Sequence, residues 1–286
     1  MSSTEVGLVG VGLMGYEMGC RLIDRGIAVT AWDREPEHVQ RLCEAGAQQA
    51  DSPHAAVAAG TVVITMLPTA EIVLDVLTEV LEDWPRETVW LQMSSVGATE
   101  SDTLAASAVE HGVTQFDAPV SGSTQVARAG KLTVLASGPE EGRDAVMPVL
   151  EALGSVHWVG PAGKGSRLKL AVNNWMVASV TALAETLALC EAMDLDPDHL
   201  ISLLDGGPLG SPYGVQKLGE MRERSYPAGF PVRLALKDLQ LVQEVAEQEK
   251  LSLPLLGVLL DRFRAADAGG HADEDLAAVF EAVMGR

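Results

Sequence analysis

Three glycines near the start of the sequence have the spacing of a phosphate-binding turn. Gly10, Gly12 and Gly15 form the pattern G-x-G-x-x-G, with Leu13 and Met14 between the last two glycines. Glycine at these positions lets backbone amides approach a pyrophosphate at the positive end of the helix that follows. The pattern has this meaning where a strand precedes it and a helix follows it. It predicts dinucleotide binding, and a tight turn without a ligand is the alternative.

An acidic residue follows this turn at the distance that suits a ribose contact. Asp33 comes about twenty residues after the glycines. Its carboxylate would accept hydrogen bonds from the adenosine ribose hydroxyls and repel a 2′-phosphate, which favours NAD. The guanidinium of Arg34 would pair with a 2′-phosphate or stack on adenine, so use of both NAD and NADP stays open. An ordinary turn residue is the alternative for Asp33.

The surrounding chain alternates between strand and helix patterns. Strand patterns occupy residues 6–10, 27–32, 61–67, 88–93, 113–116, 132–136 and 156–159, and helical patterns separate most of them. Pro36 and Pro53 lie where a helix would begin. This alternation predicts an α/β fold with a doubly wound, mainly parallel sheet.

The second half of the chain has a different pattern. Residues 166–192 contain neither Gly nor Pro and predict one helix about 40 Å long, enough to connect two domains. Helical patterns follow at 197–204, 215–223, 234–248, 254–268 and 274–284, without a convincing strand. We therefore predict an α/β domain over residues 1–162 and an all-helical domain over residues 163–286.

Composition narrows the classes of partner. The net charge of −20 argues against nucleic acid, and it requires local cations at any site for an acidic substrate. No run of about 18 uncharged apolar residues and no signal-peptide pattern is present, so we expect a cytoplasmic protein that does not enter a membrane.

Cysteine and histidine usage argues against disulfides and metals. Cys20, Cys43 and Cys190 are widely spaced, so we expect buried thiols. The histidines have no partners at metal-ligand spacing, and we predict no metal; those considered are His38, His54, His111 and His157.

Four segments together resemble the β-hydroxyacid dehydrogenase family. They are GLVGVGLMG at the N-terminus, DAPVSGS at 117–123, GKGSRLKLAVNN at 163–174 and KDL at 237–239. The resemblance implies an N-terminal Rossmann domain that binds NAD(P), a long interdomain helix and a helical domain for substrate binding and dimerisation. It also implies a homodimer or tetramer. The implied activity is hydride transfer between a nicotinamide and a small β-hydroxy acid, a semialdehyde or glyoxylate.

Within this resemblance, Lys169 is the expected general acid and base. Hydride transfer to a carbonyl builds negative charge on oxygen, so a donor must deliver a proton there. The apolar neighbours of Lys169 are of the kind that lower a lysine pKa, whereas a lysine on a solvated helix face is the alternative. Asn173 follows four residues later on the same helix face, where its amide would hold substrate or the ammonium group, and Asn174 is the next-best amide.

The resemblance assigns further residues to cofactor and substrate. Met66 and Leu67 are expected over the cofactor ribose, with simple strand-end packing as their alternative, and Ser95 on the nicotinamide side. The backbone of Ser121, Gly122 and Ser123 is expected to bind the substrate carboxylate, with a plain polar turn as the alternative. Lys237 would supply a cation to cofactor and substrate; Asp238 would orient it or begin a helix. Trp175 and Phe230 would line the pocket or belong to the core.

The sequence leaves open which branch of the family the chain belongs to, and two other functions are considered. Ser123 favours the glyoxylate/succinic semialdehyde branch, but this branch typically carries Asn-Arg-Thr where the present chain has Asp33, Arg34 and Glu35. Imine reduction on the same scaffold is a rival that Lys169 disfavours. A dinucleotide-binding scaffold without chemistry is a second rival, which the presence of Lys169, Asn173 and Lys237 disfavours. The precise acid, the preference for NAD and the physiological direction are not determined by the sequence.

Overall fold

The N-terminal part of the computed structural model, which describes residues 4–285, is a sheet with helices between its strands. The strands are β1 (Glu5–Val9), β2 (Ala28–Trp32), β3 (Gln48–Gln49), β4 (Val62–Thr65), β5 (Val89–Gln92), β6 (Gln115–Asp117), β7 (Val120–Ser121), β8 (Leu132–Ser137) and β9 (Gly154–Gly160). The helices are α1 (Leu13–Asp24), α2 (Pro36–Glu44), α3 (Pro53–Ala58), α4 (Ala70–Glu82), α5 (Ala98–Glu110), α6 (Thr124–Arg128) and α7 (Arg143–Leu153).

The strand order is that of a doubly wound dinucleotide-binding fold. Strands β3, β2, β1, β4, β5 and β6 lie side by side in this order and pair in parallel. Strand β8 pairs antiparallel with β6 and β7 and parallel with β9. The predicted α/β class and mainly parallel sheet are confirmed. The winding changes direction between β1 and β4, and ligands of such folds bind at the carboxyl ends of the strands at this switch point.

Both faces of the sheet are buried, as parallel strands require. Along β4, Val62 and Ile64 belong to the core on one face, and Val63 belongs to the core on the other. Side chains alternate between faces along a strand, so an unbroken apolar run feeds both cores. The polar groups at the strand ends are therefore held in place by a sheet that is packed on both faces.

The second part of the chain is helical. It contains α8 (Lys164–Ala192), α9 (Pro197–Leu204), α10 (Pro212–Glu223), α11 (Val232–Gln248), α12 (Pro254–Ala266), a π-helical turn (Asp267–His271), a 3-10 turn (Leu276–Ala278) and α13 (Val279–Met284). Within the described residues after Gly160, the only strand-like pairing is an isolated bridge between Pro231 and Asp275. The predicted long helix and all-helical C-terminal part are confirmed.

The chain divides into two compact units, Met1–Lys169 and Leu170–Arg286. The division falls inside α8, whereas the boundary at residues 162 and 163 stays a prediction. Among the described residues, α8 is also the one helix that is long and apolar enough to cross a membrane. The core helices of water-soluble proteins can have the same length and composition, so these two properties do not identify α8 as a membrane-spanning helix.

The cysteine prediction was only partly right. All three cysteines are free, and Cys20 in α1 is buried. Cys43 and Cys190 are half-buried, because each lies on a helix flank that is partly exposed to solvent.

Candidate functional site

The glycine-rich turn joins β1 to α1, and two of its glycines are required by the fold. Gly10 has φ +101°, and a Cβ atom there would lie 2.3 Å from the Met66 carbonyl oxygen. A Cβ atom on Gly15 would lie 2.1 Å from the Gly10 carbonyl oxygen. Both glycines therefore let α1, β1 and the end of β4 approach closely.

Gly12 differs from its two neighbours in the motif. It is exposed, and a Cβ atom there would meet nothing within 4 Å. Gly12 is also the N-cap of α1, and no side chain caps this helix end. Open space beside an uncapped helix N-terminus fits the diphosphate of a dinucleotide, because backbone N–H groups and the helix dipole both favour an anion there.

The carboxylate of Asp33 is held beside this turn. Its Oδ2 atom accepts a hydrogen bond of 2.6 Å from the Val11 amide, and its Oδ1 atom accepts one of 2.9 Å from the Glu35 amide. The ring Nδ1 of His38 lies 3.2 Å from the same Oδ1. The Arg34 side chain is 83% exposed and is therefore not anchored by burial. Asp33 thus links the end of β2 to the glycine-rich turn and is more than an ordinary turn residue.

Met66 and Leu67 follow β4 at the switch point. Both are half-buried, and each packs against a different one of the two cores, so the packing alternative describes part of their role. The Leu67 amide donates a 2.9 Å hydrogen bond to Ser94 Oγ. Ser94 is fully buried and immediately precedes the half-buried Ser95. Sequence reasoning missed Ser94, although its place two residues after the end of β5 was a usable signal.

The segment Asp117–Ser123 is more ordered than the predicted loop. Asp117 ends β6, and Ser121 pairs antiparallel with Thr133 of β8. Gly122 is exposed at φ +136°, a conformation that favours glycine, and Ser123 caps α6 through a 3.4 Å hydrogen bond from the Val126 amide. The plain-turn alternative therefore does not describe this segment, which contains a strand and a helix cap.

Lys169 lies on α8 and is buried, with 8% of its surface exposed. The alternative of a solvated helix face is therefore wrong. Ser166 precedes it by three residues, and its amide and hydroxyl donate hydrogen bonds of 2.8 and 2.6 Å to the Asp117 carboxylate. Burial raises the pKa of Asp117, and the hydrogen bonds from Ser166 and Ser137 oppose that rise. Sequence reasoning did not assign a role to Asp117.

The second unit contributes a separate polar cluster. Asn173 of α8 and Asp238 of α11 are 1% and 2% exposed, and Asn173 Nδ2 donates a hydrogen bond to Asp238 Oδ2. Lys237 Nζ lies 3.6 Å from Asp238 Oδ1. Asn173 Oδ1 has no hydrogen-bond partner within residues 4–285. Asp238 lies in the interior of α11, so the helix-start alternative was wrong. Its carboxylate contacts both Asn173 and Lys237, and its expected role in orienting Lys237 stays a prediction.

The two aromatic candidates differ in exposure. Trp175 is 63% exposed, so the core alternative is wrong for it. Phe230 is half-buried, and its amide donates a 3.0 Å hydrogen bond to Asp275 Oδ2. Asn174, the next-best amide, is half-buried. In the part of the chain that the structure describes, no group of three or more His, Cys, Asp or Glu side chains has the arrangement of a metal site.

Two protein-family models match nearly the whole chain. Residues 5–160 match the NAD binding domain of 6-phosphogluconate dehydrogenase. Residues 163–283 match the NAD-binding domain of NADP-dependent 3-hydroxyisobutyrate dehydrogenase. The first match includes the glycine-rich turn and Asp33, and the second includes Lys169, Asn173 and Lys237.

Individual relatives match the chain over nearly their full length. The chain is 31% identical to glyoxylate/succinic semialdehyde reductase 1 of Arabidopsis thaliana over 98% of both proteins. It is 30% identical to a solved 3-hydroxyisobutyrate dehydrogenase of Mycobacterium tuberculosis with L-serine, with a TM-score of 0.86 over 97% of this chain and 98% of that one. A solved imine reductase of Myxococcus stipitatus is 19% identical, with a TM-score of 0.66 over 99% of this chain and 100% of that one, and shares the fold alone.

Proposed function

We propose that this protein, which belongs to the β-hydroxyacid dehydrogenase family, interconverts a small β-hydroxy acid and the corresponding semialdehyde, or reduces glyoxylate. The chain is an NAD(P)-dependent oxidoreductase acting on hydroxyl and aldehyde groups, as its sequence predicted. Imine reduction is not favoured, because the solved imine reductases are less similar to this chain in sequence than the solved 3-hydroxyisobutyrate dehydrogenase of Mycobacterium tuberculosis. The residue roles and the preference for NAD are proposals.

The first unit carries the residues that we assign to the cofactor. The uncapped N-terminus of α1 and the open space at Gly12 support a diphosphate site there. Asp33 supports a ribose contact, and its negative charge favours NAD over a cofactor with a 2′-phosphate. Met66, Leu67 and Ser95 follow the neighbouring strands and are assigned to the ribose and nicotinamide sides. When bound, the nicotinamide supplies or accepts the hydride.

Lys169 is assigned to the proton. In oxidation its amine takes the hydroxyl proton of the hydroxy acid while the hydride leaves carbon, and in reduction its ammonium returns a proton to the carbonyl oxygen. Its burial supports this role, because an amine shielded from water exchanges its proton with a bound substrate oxygen rather than with solvent. Asn173 is assigned to the substrate oxygen. Its Nδ2 group has two N–H bonds, and Asp238 Oδ2 accepts one of them, which leaves the other to donate to the substrate oxygen.

The substrate is proposed to be a small acid. The backbone and hydroxyl groups of Ser121, Gly122 and Ser123 are assigned to its carboxylate, together with the cation of Lys237. The net charge of −20 would repel an anion from most of the protein surface, so these local donors are needed. We also propose that the enzyme works as a cytoplasmic homo-oligomer without nucleic-acid or membrane partners, which the strong negative charge and the family resemblance support.

The burial of Lys169 is the observation that carries the proposed mechanism, and a paired substitution tests it. Purified protein is mixed with NADH or NADPH and glyoxylate, succinic semialdehyde, tartronate semialdehyde or methylmalonate semialdehyde. We expect Lys169→Ala to abolish turnover while cofactor affinity, measured by nucleotide fluorescence, stays near that of the parent. Lys164→Ala is the matched control, because Lys164 begins the same helix and is exposed.

Three outcomes separate the alternatives. An active Lys169→Ala variant would remove the assigned proton donor. Cofactor binding by the parent without turnover of any acid in the panel would favour the non-catalytic scaffold. Turnover of a cyclic imine in preference to every acid would restore imine reduction as the function.

A further inference from the structure

The carboxylate of Asp117 is buried beside the start of α8 and takes no part in the proton and hydride transfers proposed above. Asp117 is 2% exposed, yet within the described residues it forms no ion pair at salt-bridge distance. Its hydrogen-bond donors are neutral, and the nearby Arg167 guanidinium favours its charged form without pairing with it. Ser166 donates to Oδ1 through its hydroxyl and to Oδ2 through its amide, and Ser137 Oγ lies 3.3 Å from Oδ2. Burying a carboxylate is costly unless hydrogen bonds compensate for the lost water, so the geometry around Asp117 depends on these donors.

These hydrogen bonds fasten the first turn of α8 to the sheet. The Gly165 amide donates a 2.9 Å hydrogen bond to Ser137 Oγ, next to the bonds from Ser166. A Cβ atom on Gly165 would lie 2.2 Å from the Leu135 carbonyl oxygen of β8, so the helix start lies directly against the strand. Ser137 and Ser166 are both fully buried. The first amides of α8 are thus bonded to the sheet rather than to water.

One carboxylate therefore connects the two segments to which opposite ends of the substrate are assigned. Asp117 begins the segment that continues to Ser121 and Gly122, four and five residues later. Ser166 is followed three residues later by Lys169, about 4.5 Å further along the helix axis at 1.5 Å per residue. The first turn of α8 and the carboxylate-binding segment cannot shift independently while the bonds to Asp117 persist.

We propose that Asp117 is a positioning residue for catalysis, which fastens the first turn of α8 to the Asp117–Ser123 segment and so sets the distance from Lys169 to the bound carboxylate. This inference rests on the proposed function, because it requires Lys169 to be the proton donor. Displacement of a reacting group by about 1 Å is enough to reduce turnover by about a hundredfold. Loss of the anchor should therefore lower kcat more than it lowers cofactor binding.

Asp117→Asn is the informative substitution. It keeps the size of the side chain, but its NH2 group replaces one acceptor and faces donors on Ser166 and Ser137. Ser166→Ala is the second variant, since it removes the hydroxyl bond and keeps the amide bond, and it serves if the first variant does not fold. Thr88→Val is the matched control. Thr88 is a buried residue of the same unit whose Oγ1 donates a 2.9 Å hydrogen bond to the Gly60 carbonyl, remote in sequence from both segments.

All variants are assayed below their melting temperatures for Tm, NADH affinity, kcat, KM and the pH profile of kcat. For Asp117→Asn we expect kcat to fall about tenfold or more, with NADH affinity within about twofold of the parent. The limb of the pH profile that reports the proton donor should also move, which a mere loss of folded protein would not cause. Thr88→Val should lower Tm and keep the kcat and pH profile of the parent.

The inference is overturned if Asp117→Asn and Ser166→Ala keep kcat within about twofold, or if kcat falls without a change in the pH profile and in proportion to folded protein. These results are distinguishable from failure of the proposed function. An inactive Lys169→Ala variant beside a fully active Asp117→Asn variant rejects the anchor alone. An active Lys169→Ala variant rejects the proton donor itself.

Discussion

Substituting the glycines of the β1–α1 turn one at a time separates folding from cofactor binding. Gly12→Ala places a methyl group where the structure has no atom within 4 Å. Gly12 has φ −65° and ψ −168°, which alanine adopts readily. Alanine is a poorer N-cap than glycine by up to about 1 kcal/mol, and the lower entropy of its unfolded chain returns about 0.4–1 kcal/mol. The free energy of unfolding should therefore change by less than about 1 kcal/mol.

Gly10→Ala is the contrasting variant. Its Cβ atom would lie 2.3 Å from the Met66 carbonyl oxygen, and φ is +101°. Backbone strain of about 1–3 kcal/mol and overpacking of about 1–3 kcal/mol both apply, so the expected loss of stability is at least 2 kcal/mol. The two glycines stand two positions apart in one motif, which makes each variant a control for the other.

Urea unfolding followed by circular dichroism measures the stability of both variants, and nucleotide fluorescence measures NADH binding. Gly12→Ala should unfold like the parent and bind NADH at least about tenfold more weakly, a difference of about 1.4 kcal/mol, because its methyl group occupies the space assigned to the diphosphate. Parent-like NADH affinity in Gly12→Ala would refute the diphosphate assignment. Equal destabilisation of the two variants would refute the conclusion that the fold requires glycine at position 10 but not at position 12.

Three further predictions concern the ribose contact, the second unit and alkaline stability. Asp33→Ala should raise KM for NADH more than KM for NADPH in steady-state assays, and an equal change in both would remove the reason for preferring NAD. Asp275→Ala should lower the free energy of unfolding by about 3–5 kcal/mol. It removes one of the two carboxylates that pair with the buried ammonium of Lys217, Asp275 at 2.7 Å and Glu220 at 2.9 Å, and it leaves the Gly229 and Phe230 amides without their acceptor. Asp273→Ala, at an 85% exposed carboxylate, is the control and should cost less than about 1 kcal/mol. Burial raises the pKa of Tyr213 and Tyr226, so both stay protonated in the folded protein at a pH where the tyrosines of the unfolded chain ionise. The stability that they contribute should be fully present below about pH 10 and should fall as pH rises above about 10. Because Tyr16 is the third tyrosine of the chain, native tyrosinate absorbance equal to more than one tyrosine at that pH would contradict the prediction.

Local patterns predicted the parts of the fold that depend on nearby residues. The strand and helix around the glycine-rich turn, and α9 over Pro197–Leu204, agree with the sequence patterns. Helix starts were less accurate, because capping residues precede the apolar pattern. Helix α10 begins at Pro212 rather than residue 215, where Ser211 Oγ accepts a hydrogen bond from the Gly214 amide. The two-residue strands β3 and β7 were missed, since so short a segment has no periodicity to detect.

Polar contacts between distant residues could not be predicted from spacing. Asp117 and Ser166 are 49 positions apart, and Asn173 and Asp238 are 65 apart. Each residue type by itself is compatible with a turn, a helix cap or a solvated surface. The resemblance to a family identified Asn173 as a candidate, but only the folded chain identifies Asp238 as the group that orients its amide.

The way α8 begins has a consequence for local opening. The first amides of a helix ordinarily lack protein partners and exchange their hydrogens with solvent through fraying. Here the amides of Gly165 and Ser166 are bonded to Ser137 and Asp117 at the sheet edge. We therefore expect hydrogen exchange at these two amides to be slower than at an ordinary helix start, because it requires opening bonds to two buried side chains. The helix that carries Lys169 is thus expected to begin at a protected turn rather than at a fraying one.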